Sequence, residues 1–205
     1  MKANLPMLNA DQIKVRLIDH LVRDPQVKLI ASEVAFYHGH RKADLIQMNN
    51  NAITAFEIKS DKDRLLNLAE QLNDYNNTFS YCYLVTTEKH LNKARKLSPE
   101  KVGLILVTSA TLQVLRKPKE NKRLCKHSLT LGLSLSQLRQ MTDDTHDREV
   151  FSVRKKIEKN ATLGYLKEIF CRSLIEKYYN QYKNFLSDRG ETTTLSDLYY
   201  LRGVH

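Results

Sequence analysis

The spacing of apolar residues in the first half of the chain switches repeatedly between a helical and a strand pattern. Helix-like stretches have apolar positions three and four residues apart, whereas the strand-like stretches are short runs rich in β-branched and aromatic residues. The order of these stretches is a hairpin followed by β-α-β-α-β units, which predicts an α/β fold with a mixed central sheet flanked by helices. The predicted helices cover 10–23, 60–75 and 88–97, and the predicted strands 27–36, 43–48, 52–58, 80–86 and 102–107.

The second half of the chain has a different pattern. Arg116–His127 contains six Lys or Arg residues, one Glu and Pro118, which is typical of a basic loop or hairpin. From Ser134 onward the pattern is helical, and the clearest helix is Leu163–Leu186, with an apolar stripe along one side. We therefore predict an α/β core over residues 1–115, followed by a basic segment and a C-terminal helical lobe over residues 116–205.

Charge points to an acidic partner. The 205 residues carry 33 Lys and Arg against 23 Asp and Glu, a net charge of +10. Residues 111–205 contribute +7 of this charge and residues 1–110 only +3. Such a balance favours nucleic acid as the partner. No apolar run approaches the roughly 18 residues of a membrane span, and the N-terminus lacks an apolar signal core. We therefore expect a cytoplasmic protein without a membrane partner.

The residues with the clearest chemical potential lie around the first predicted hairpin. Glu57 and Lys59 are two apart in a strand pattern, so their side chains leave the same face of the sheet. The Asn49–Asn51 turn folds the chain back and, with Met48 opposite Ala52, brings Asp44 within about one residue of Glu57. Two carboxylates and a lysine then meet at one end of the hairpin, unless this face is simply solvated.

Converging carboxylates are typical of a site for a divalent cation. Mg²⁺ is usually held by one or two carboxylates together with water and phosphate oxygens, and Mn²⁺ accepts similar ligands. The cation would lower the pKa of a bound water and stabilise charge on a phosphodiester. Lys59 would orient that water or stabilise the developing charge.

The order Asp44, turn, Glu57-x-Lys59 resembles the PD-(D/E)xK nuclease superfamily, which includes restriction endonucleases and RecB-type nucleases. Glu33 stands where that superfamily often has a further acidic ligand, and Gln71-x-x-x-Tyr75 resembles the RecB-like branch. The segment from Arg41 to Asp61 also resembles a small, poorly characterised bacterial family. The resemblance covers about residues 10–110, and Ala43 stands where the superfamily name has proline.

The resemblance implies a restriction-endonuclease-like core and a metal-dependent nuclease that cleaves DNA as an endonuclease. It implies Mg²⁺ or Mn²⁺ bound by Asp44, Glu57, Glu33 and the Ile58 carbonyl, with Lys59 as the catalytic lysine. Gln71 and Tyr75 would form a second layer around these ligands. The cations expected to contact nucleic acid are Arg41, Arg116, Lys117, Lys119, Lys122 and Arg123.

Two other functions remain open from the sequence. One is a nucleic-acid-binding or regulatory protein on a nuclease-like scaffold without cleavage, against which the intact Glu57-x-Lys59 argues. The other is an RNA-cleaving toxin domain, which the same residues would serve. Pairing of two sites in a homodimer would allow both strands of a duplex to be cut. We further expect the basic segment Arg116–His127 to lie near the acidic site.

Overall fold

The computed structural model describes residues 7–50, 52–142 and 149–202, and for His38 only the backbone. It has the predicted α/β architecture, a six-stranded mixed sheet flanked by helices and followed by further helices toward the C-terminus. The elements are α1 (Ala10–Leu21), β1 (Leu29–Phe36), β2 (Arg41–Asn49), β3 (Ala52–Lys59), α2 (Leu68–Thr78), β4 (Tyr81–Thr86), α3 (Glu88–Leu97), β5 (Gly103–Val107), β6 (Leu112–Arg116), α4 (Lys126–Leu131), α5 (Leu135–Gln140), α6 (Val150–Asn160) and α7 (Leu163–Asp188).

The strands lie in the sheet in the order of the chain. β1, β2 and β3 form an antiparallel meander, whereas β3, β4 and β5 are parallel and are joined through α2 and α3. This arrangement confirms the predicted hairpin and β-α-β-α-β order. β6, which the sequence pattern did not predict, pairs antiparallel with β5 and is more exposed than the central strands.

The turn between β2 and β3 sets the position of Asp44. Asn49 pairs with Ala52 and Met48 with Ile53, so the expected pairing of Met48 with Ala52 is wrong by one residue. Asn50 has a positive φ of 51°, a conformation that asparagine tolerates well in tight turns. Asn51, the third residue of the predicted turn, lies outside the described residues. The shifted register places Asp44 level with Glu57.

The helix after β3 begins later than expected. A start at Ser60 or Asp61 is wrong, because α2 begins at Leu68. The Asp63 carboxylate accepts hydrogen bonds from the Ser60 N–H at 2.8 Å and the Ser60 hydroxyl at 2.5 Å, which closes a turn. Asp61 accepts the Leu8 N–H at 2.9 Å. These polar residues therefore organise a connection between strand and helix rather than a helix terminus.

The helices after β6 pack onto the same core as the sheet. Leu129, Leu138, Ile157 and other apolar residues of α4 to α7 belong to one hydrophobic cluster with residues of β1 to β5. The rings of Phe79 and Phe170 lie 6.4 Å apart and join α2's end to α7. Within the described ranges, no helix is both long and apolar enough to cross a membrane.

Candidate active site

Three acidic residues stand at one level on three neighbouring strands. Ser32 pairs with Leu45 and Val34 with Ala43, so Glu33 of β1 faces Asp44 of β2. Leu45 pairs with Phe56. Asp44, one residue before Leu45 in β2, therefore lies opposite Glu57, one residue after Phe56 in β3. Because neighbouring strands are about 4.8 Å apart, the three backbones span only about 10 Å. The meander thus gathers carboxylates from positions 33, 44 and 57.

The strands β2 and β3 part at the level of Asp44. Their pairing stops at Leu45 and Phe56, although β3 continues to Lys59. The Asp44 Oδ2 atom accepts the Ile58 N–H at 2.7 Å and so replaces the missing backbone partner. Because the N–H and C=O of a strand residue leave on the same edge, the Ile58 carbonyl faces this gap as well. Asp44 and Ile58 therefore present oxygens at one place.

Lys59 contacts the acidic cluster directly. Its Nζ atom lies 2.6 Å from Oε1 of Glu57, two residues earlier on the same face of β3. The side chains are only 11% and 4% exposed, respectively. A buried carboxylate at this position needs a cationic partner, and Lys59 supplies it. The predicted convergence of Asp44, Glu57 and Lys59 on one side of the sheet is what the structure contains.

Glu33 has a lysine partner that the sequence pattern did not suggest. Its carboxylate forms an ion pair with Lys14 of α1, whose side chain is only 5% exposed. Glu33 also has a φ of 53°, which is uncommon for a residue other than glycine. The pairing of β1 with β2 skips this residue, passing from Ser32 to Val34. The strained backbone directs the Glu33 side chain to Lys14. Glu33 is therefore paired with an ammonium group.

The amino-acid sequence contains one sign that Lys14 has a special environment. The buried side of α1 consists of Ile13, Lys14, Leu17, Ile18 and Leu21. A lysine four residues before an isoleucine in an apolar stripe is unusual, since lysine is almost never fully buried unless paired. Lys14 lies close enough to Asp44 to lower the pKa of that carboxyl, which places it at the same site.

Replacing either partner of the Lys14–Glu33 ion pair is expected to lower the free energy of unfolding, but by unequal amounts. Glu33→Gln removes the nearest counter-charge of the more buried partner, Lys14, and leaves it only the Asp11 carboxylate at 3.9 Å and the charge of Asp44, so we expect it to cost roughly 2–4 kcal/mol in the free energy of unfolding. Lys14→Met leaves Glu33, which is 32% exposed and can be hydrated, so the expected cost is only about 1–2 kcal/mol. Urea unfolding of both variants and of the double variant measures this. Equal losses in the two single variants would contradict a stabilising ion pair between Lys14 and Glu33. So would a double variant that loses more free energy of unfolding than the two single variants together.

Tyr75 joins α2 to the acidic cluster. Its hydroxyl accepts the Asp44 N–H at 3.3 Å and donates to the Lys42 carbonyl at 3.3 Å. Burial, followed by the negative charges of Glu57 and Asp44, raises the pKa of Tyr75 well above its usual value, so the group stays neutral. Gln71 lies one turn earlier on α2 and is half-buried, and among the described residues its side chain has no hydrogen bond to this cluster.

Asp44 is the residue whose protonation the cluster changes most. Burial raises the pKa of its carboxyl to about 7, and the negative charges of Glu57 and Glu33 act in the same direction. The Ile58 N–H and the Lys14 ammonium oppose this rise. A cation placed between Asp44 and Glu57 would relieve their repulsion, so the electrostatics of the site fit a bound divalent metal.

The donor set for such a metal is small. Among the described residues, no group of three or more His, Cys, Asp or Glu side chains is arranged to hold a metal ion. The available protein oxygens are the carboxylates of Asp44 and Glu57 and the carbonyl of Ile58. This number is compatible with Mg²⁺, which usually retains several waters, and less so with Ca²⁺.

The basic residues proposed as nucleic-acid contacts are placed differently. The Arg41 guanidinium forms ion pairs with Glu70 and, at 2.8 Å, with Asp74 of α2. The Arg116 Nε atom donates to the Val102 carbonyl at 2.7 Å, so Arg116 holds the end of β6 against the start of β5. The four other residues proposed as nucleic-acid contacts, Lys117, Lys119, Lys122 and Arg123, are exposed.

The expectation that Arg116–His127 lies near the acidic site is wrong. The Asn121 N–H donates to the Ser80 carbonyl at 2.8 Å, which places the segment at the amino end of β4. Glu57 and Lys59 pair with Leu84 and Thr86, toward the carboxyl end of the same strand. Because β3 and β4 are parallel, the basic segment lies near the amino ends of these strands and the acidic cluster lies near their carboxyl ends.

Comparisons with known proteins place the chain in a phage protein family. The family model of Bacteriophage P4 protein cII matches residues 5–202. Protein cII of Enterobacteria phage P4 is 26% identical over 191 residues, which cover 88% of this chain and 72% of that protein. A solved structure of a protein of unknown function from Silicibacter pomeroyi has a TM-score of 0.45 and 14% identity, covering 89% of this chain and 97% of that one. Because the family model spans nearly the whole sequence, the chain belongs to the Bacteriophage P4 protein cII family.

Proposed function

We propose that this protein is a metal-dependent nuclease that hydrolyses phosphodiester bonds, with DNA as the favoured substrate and an endonucleolytic mode. The observation that carries the proposal is the meeting of Asp44, Glu57 and Lys59 where β2 and β3 part. The Asp44 carboxylate lies 2.7 Å from the Ile58 nitrogen, and Lys59 lies 2.6 Å from Glu57. The resemblance to the PD-(D/E)xK superfamily agrees with this arrangement in residue type and order.

Each residue has a role that follows from its position. Asp44, Glu57 and the Ile58 carbonyl would hold Mg²⁺ or Mn²⁺, which supplies an activated water and neutralises charge on the phosphate. Glu57 would exchange its ion pair with Lys59 for the cation. The Lys59 ammonium would then orient the water and stabilise the charge that develops on the phosphoryl oxygens.

The surrounding residues position these groups. Tyr75 holds the β2 backbone at Asp44 through hydrogen bonds to residues 42 and 44. Lys14 holds the Glu33 carboxylate at the level of Asp44. Glu33 would therefore act on Asp44 through charge and position, and would become a ligand only if its ion pair with Lys14 were exchanged.

A cleavage assay on three substrates tests the proposal. Supercoiled plasmid, single-stranded DNA and tRNA are incubated with the parent protein and with Glu57→Gln in Mg²⁺, Mn²⁺ or Ca²⁺. We expect plasmid nicking in Mg²⁺ or Mn²⁺ by the parent only, because Glu57→Gln removes a charged ligand at nearly unchanged volume. Cleavage confined to tRNA would instead establish the RNA-cleaving alternative, and equal nicking by both proteins would reject this site.

A non-cleaving nucleic-acid-binding protein is the second candidate, and one observation favours it. Lys14 and Lys59 pair with Glu33 and Glu57, so two of the three carboxylates are already neutralised by side chains of the protein. A site whose carboxylates are paired with lysines in this way has less need of a metal ion to neutralise it. DNA binding without cleavage of any of the three substrates, in every metal, would support this function.

A further inference from the structure

Three carboxylates in a row offer places for more than one cation. Glu33, Asp44 and Glu57 stand at one level on β1, β2 and β3, so Asp44 lies between the other two. Neighbouring strands are about 4.8 Å apart, and the two ions of a two-metal catalytic site are roughly 3.5–4 Å apart. The row therefore has one place for a cation between Asp44 and Glu57 and a second between Asp44 and Glu33.

The place beside Glu57 has oxygens from two strands. The Asp44 Oδ2 atom lies 2.7 Å from the Ile58 nitrogen, so this carboxylate is turned toward β3. The Ile58 carbonyl faces the same gap, because the pairing of β2 with β3 has stopped there. Lys59 is the last residue of β3, and its long, flexible side chain can turn from Glu57 to a phosphate. A divalent cation can therefore enter between Asp44 and Glu57.

The place beside Glu33 is filled by an ammonium group of the protein. Lys14 reaches it from α1 and forms an ion pair with the Glu33 carboxylate. The positive charge of Lys14 also acts on the Asp44 carboxyl, so the ammonium serves both carboxylates of this place. The Lys14 side chain is only 5% exposed, and Ile13 and Leu17 of the same helix are buried beside it.

A metal ion at this second place would leave Lys14 poorly compensated. The Asp11 carboxylate lies 3.9 Å from the Lys14 ammonium, but it is 48% exposed and therefore screened by water. The same carboxylate oxygen lies 3.8 Å from the Arg202 guanidinium, with which it also interacts. Because a buried charge without a close partner is strongly unfavourable, Lys14 and Glu33 hold each other in place.

The charges of the site balance with one divalent cation. When Glu33, Asp44 and Glu57 are all ionised, the ammonium groups of Lys14 and Lys59 leave one negative charge in excess. One divalent cation and one phosphodiester together supply the single positive charge that compensates it. A second divalent cation would leave two positive charges uncompensated in a largely buried cluster, which is costly.

We propose that the Lys14 ammonium takes the place of a second metal ion, so that the site binds a single divalent cation between Asp44 and Glu57. This inference rests on the proposed function, because it concerns the same metal site. Lys14 acts through Glu33 and Asp44 and does not touch the substrate, so it is a positioning residue. Its fixed positive charge replaces, on the Glu33 side, the charge that the second ion of a two-metal site supplies.

Counting bound Mn²⁺ tests the proposal independently of cleavage. The full chain is titrated with Mn²⁺, and the EPR signal of the free ion gives the number of ions bound per chain. We expect one ion in the parent and two in Lys14→Met, because the variant frees Glu33 at similar side-chain length. Arg16→Met is the matched control and should bind one ion. Arg16 lies on the same helix, but its guanidinium donates to the Thr108 carbonyl at 3.0 Å.

The double variant Lys14→Met with Glu33→Gln covers the case that the single variant does not fold. It removes both charges of the ion pair, so it is expected to bind one Mn²⁺ with an affinity close to that of the parent. Two ions per parent chain, one ion in folded Lys14→Met, or a second ion gained equally by Arg16→Met would each overturn the proposal. Loss of binding in the double variant would do so as well, since Glu33 would then be an essential ligand.

The same titration separates this inference from the proposed function. A parent protein that binds one Mn²⁺ but cleaves none of the three nucleic-acid substrates would reject the nuclease activity and leave the role of Lys14 supported. A parent that nicks plasmid and binds two ions would do the reverse. A parent that binds no Mn²⁺ would reject the metal site and, with it, both proposals.

Discussion

Lys59→Met is expected to reduce Mg²⁺-dependent plasmid cleavage by about 10²–10³ while DNA binding in Ca²⁺ persists. The ammonium would act on charge that develops in the transition state, whereas affinity for DNA is spread over many phosphate contacts. The variant is also expected to lose stability, because Glu57 is only 4% exposed and loses its partner at 2.6 Å. Breaking a buried pair in this way costs roughly 3–5 kcal/mol.

A second variant separates catalysis from folding. Lys59→Met combined with Glu57→Gln removes both charges, so the melting temperature should return toward that of the parent while cleavage stays absent. Lys62→Met is the surface control, since Lys62 is exposed three residues further along the chain and its variant should cleave at the parent rate. If Lys59→Met cleaves plasmid as fast as the parent, Lys59 has no catalytic role.

Asp44→Asn is expected to abolish both cleavage and stabilisation by Mg²⁺, and to raise stability in EDTA at neutral pH. In the folded protein the pKa of Asp44 is raised to about 7 from an ordinary value of 3.8. A carboxyl whose pKa is raised in the folded protein contributes stability at low pH, and this stability is lost as the pH rises from its ordinary pKa through its folded pKa. The asparagine variant cannot ionise, so its stability relative to the parent should rise by about 2–3 kcal/mol as the pH goes from 5 to 7.

Thermal melts at pH 5 and pH 7.5, with EDTA or Mg²⁺, measure this difference. The side-chain amide can still accept the Ile58 N–H through its oxygen, so the gap between β2 and β3 is retained. Glu100→Gln is a suitable control, because this carboxylate is 89% exposed. A variant that gains as much from Mg²⁺ as the parent would show that the metal binds elsewhere. An unchanged pH profile would show that Asp44 is ionised throughout.

The hairpin illustrates how far local sequence can determine a site. Alternation in β3 put Glu57 and Lys59 on one face, and the asparagine-rich turn brought Asp44 back to within one residue of Glu57. Strand alternation and turn chemistry act over a few residues, so they survive in any α/β arrangement of this chain. The register in the structure differs by one residue from the register expected from the sequence. Hairpin loops of similar length are compatible with the same turn residues, so the sequence pattern does not distinguish between them.

The partners of these residues depended on packing across the molecule. Lys14 and Glu33 are 19 residues apart and meet only because α1 lies against the sheet and the backbone at Glu33 has a positive φ. Tyr75 reaches Asp44 over 31 residues. Such contacts are decided by how helices dock on a sheet, which periodicity does not specify.

The basic segment shows the same division most clearly. Its charge and the later helices were evident from the sequence, as were the α/β order, the core strands and the acidic hairpin. The position of the basic segment was not evident from the sequence. Only the parallel arrangement of β3 and β4 places Ser80, and with it Asn121, at the end of the strands away from Glu57. Composition and spacing determined which groups this protein has and which faces they share locally. The tertiary structure alone decided which of those groups meet, because long-range contacts depend on the docking of whole elements.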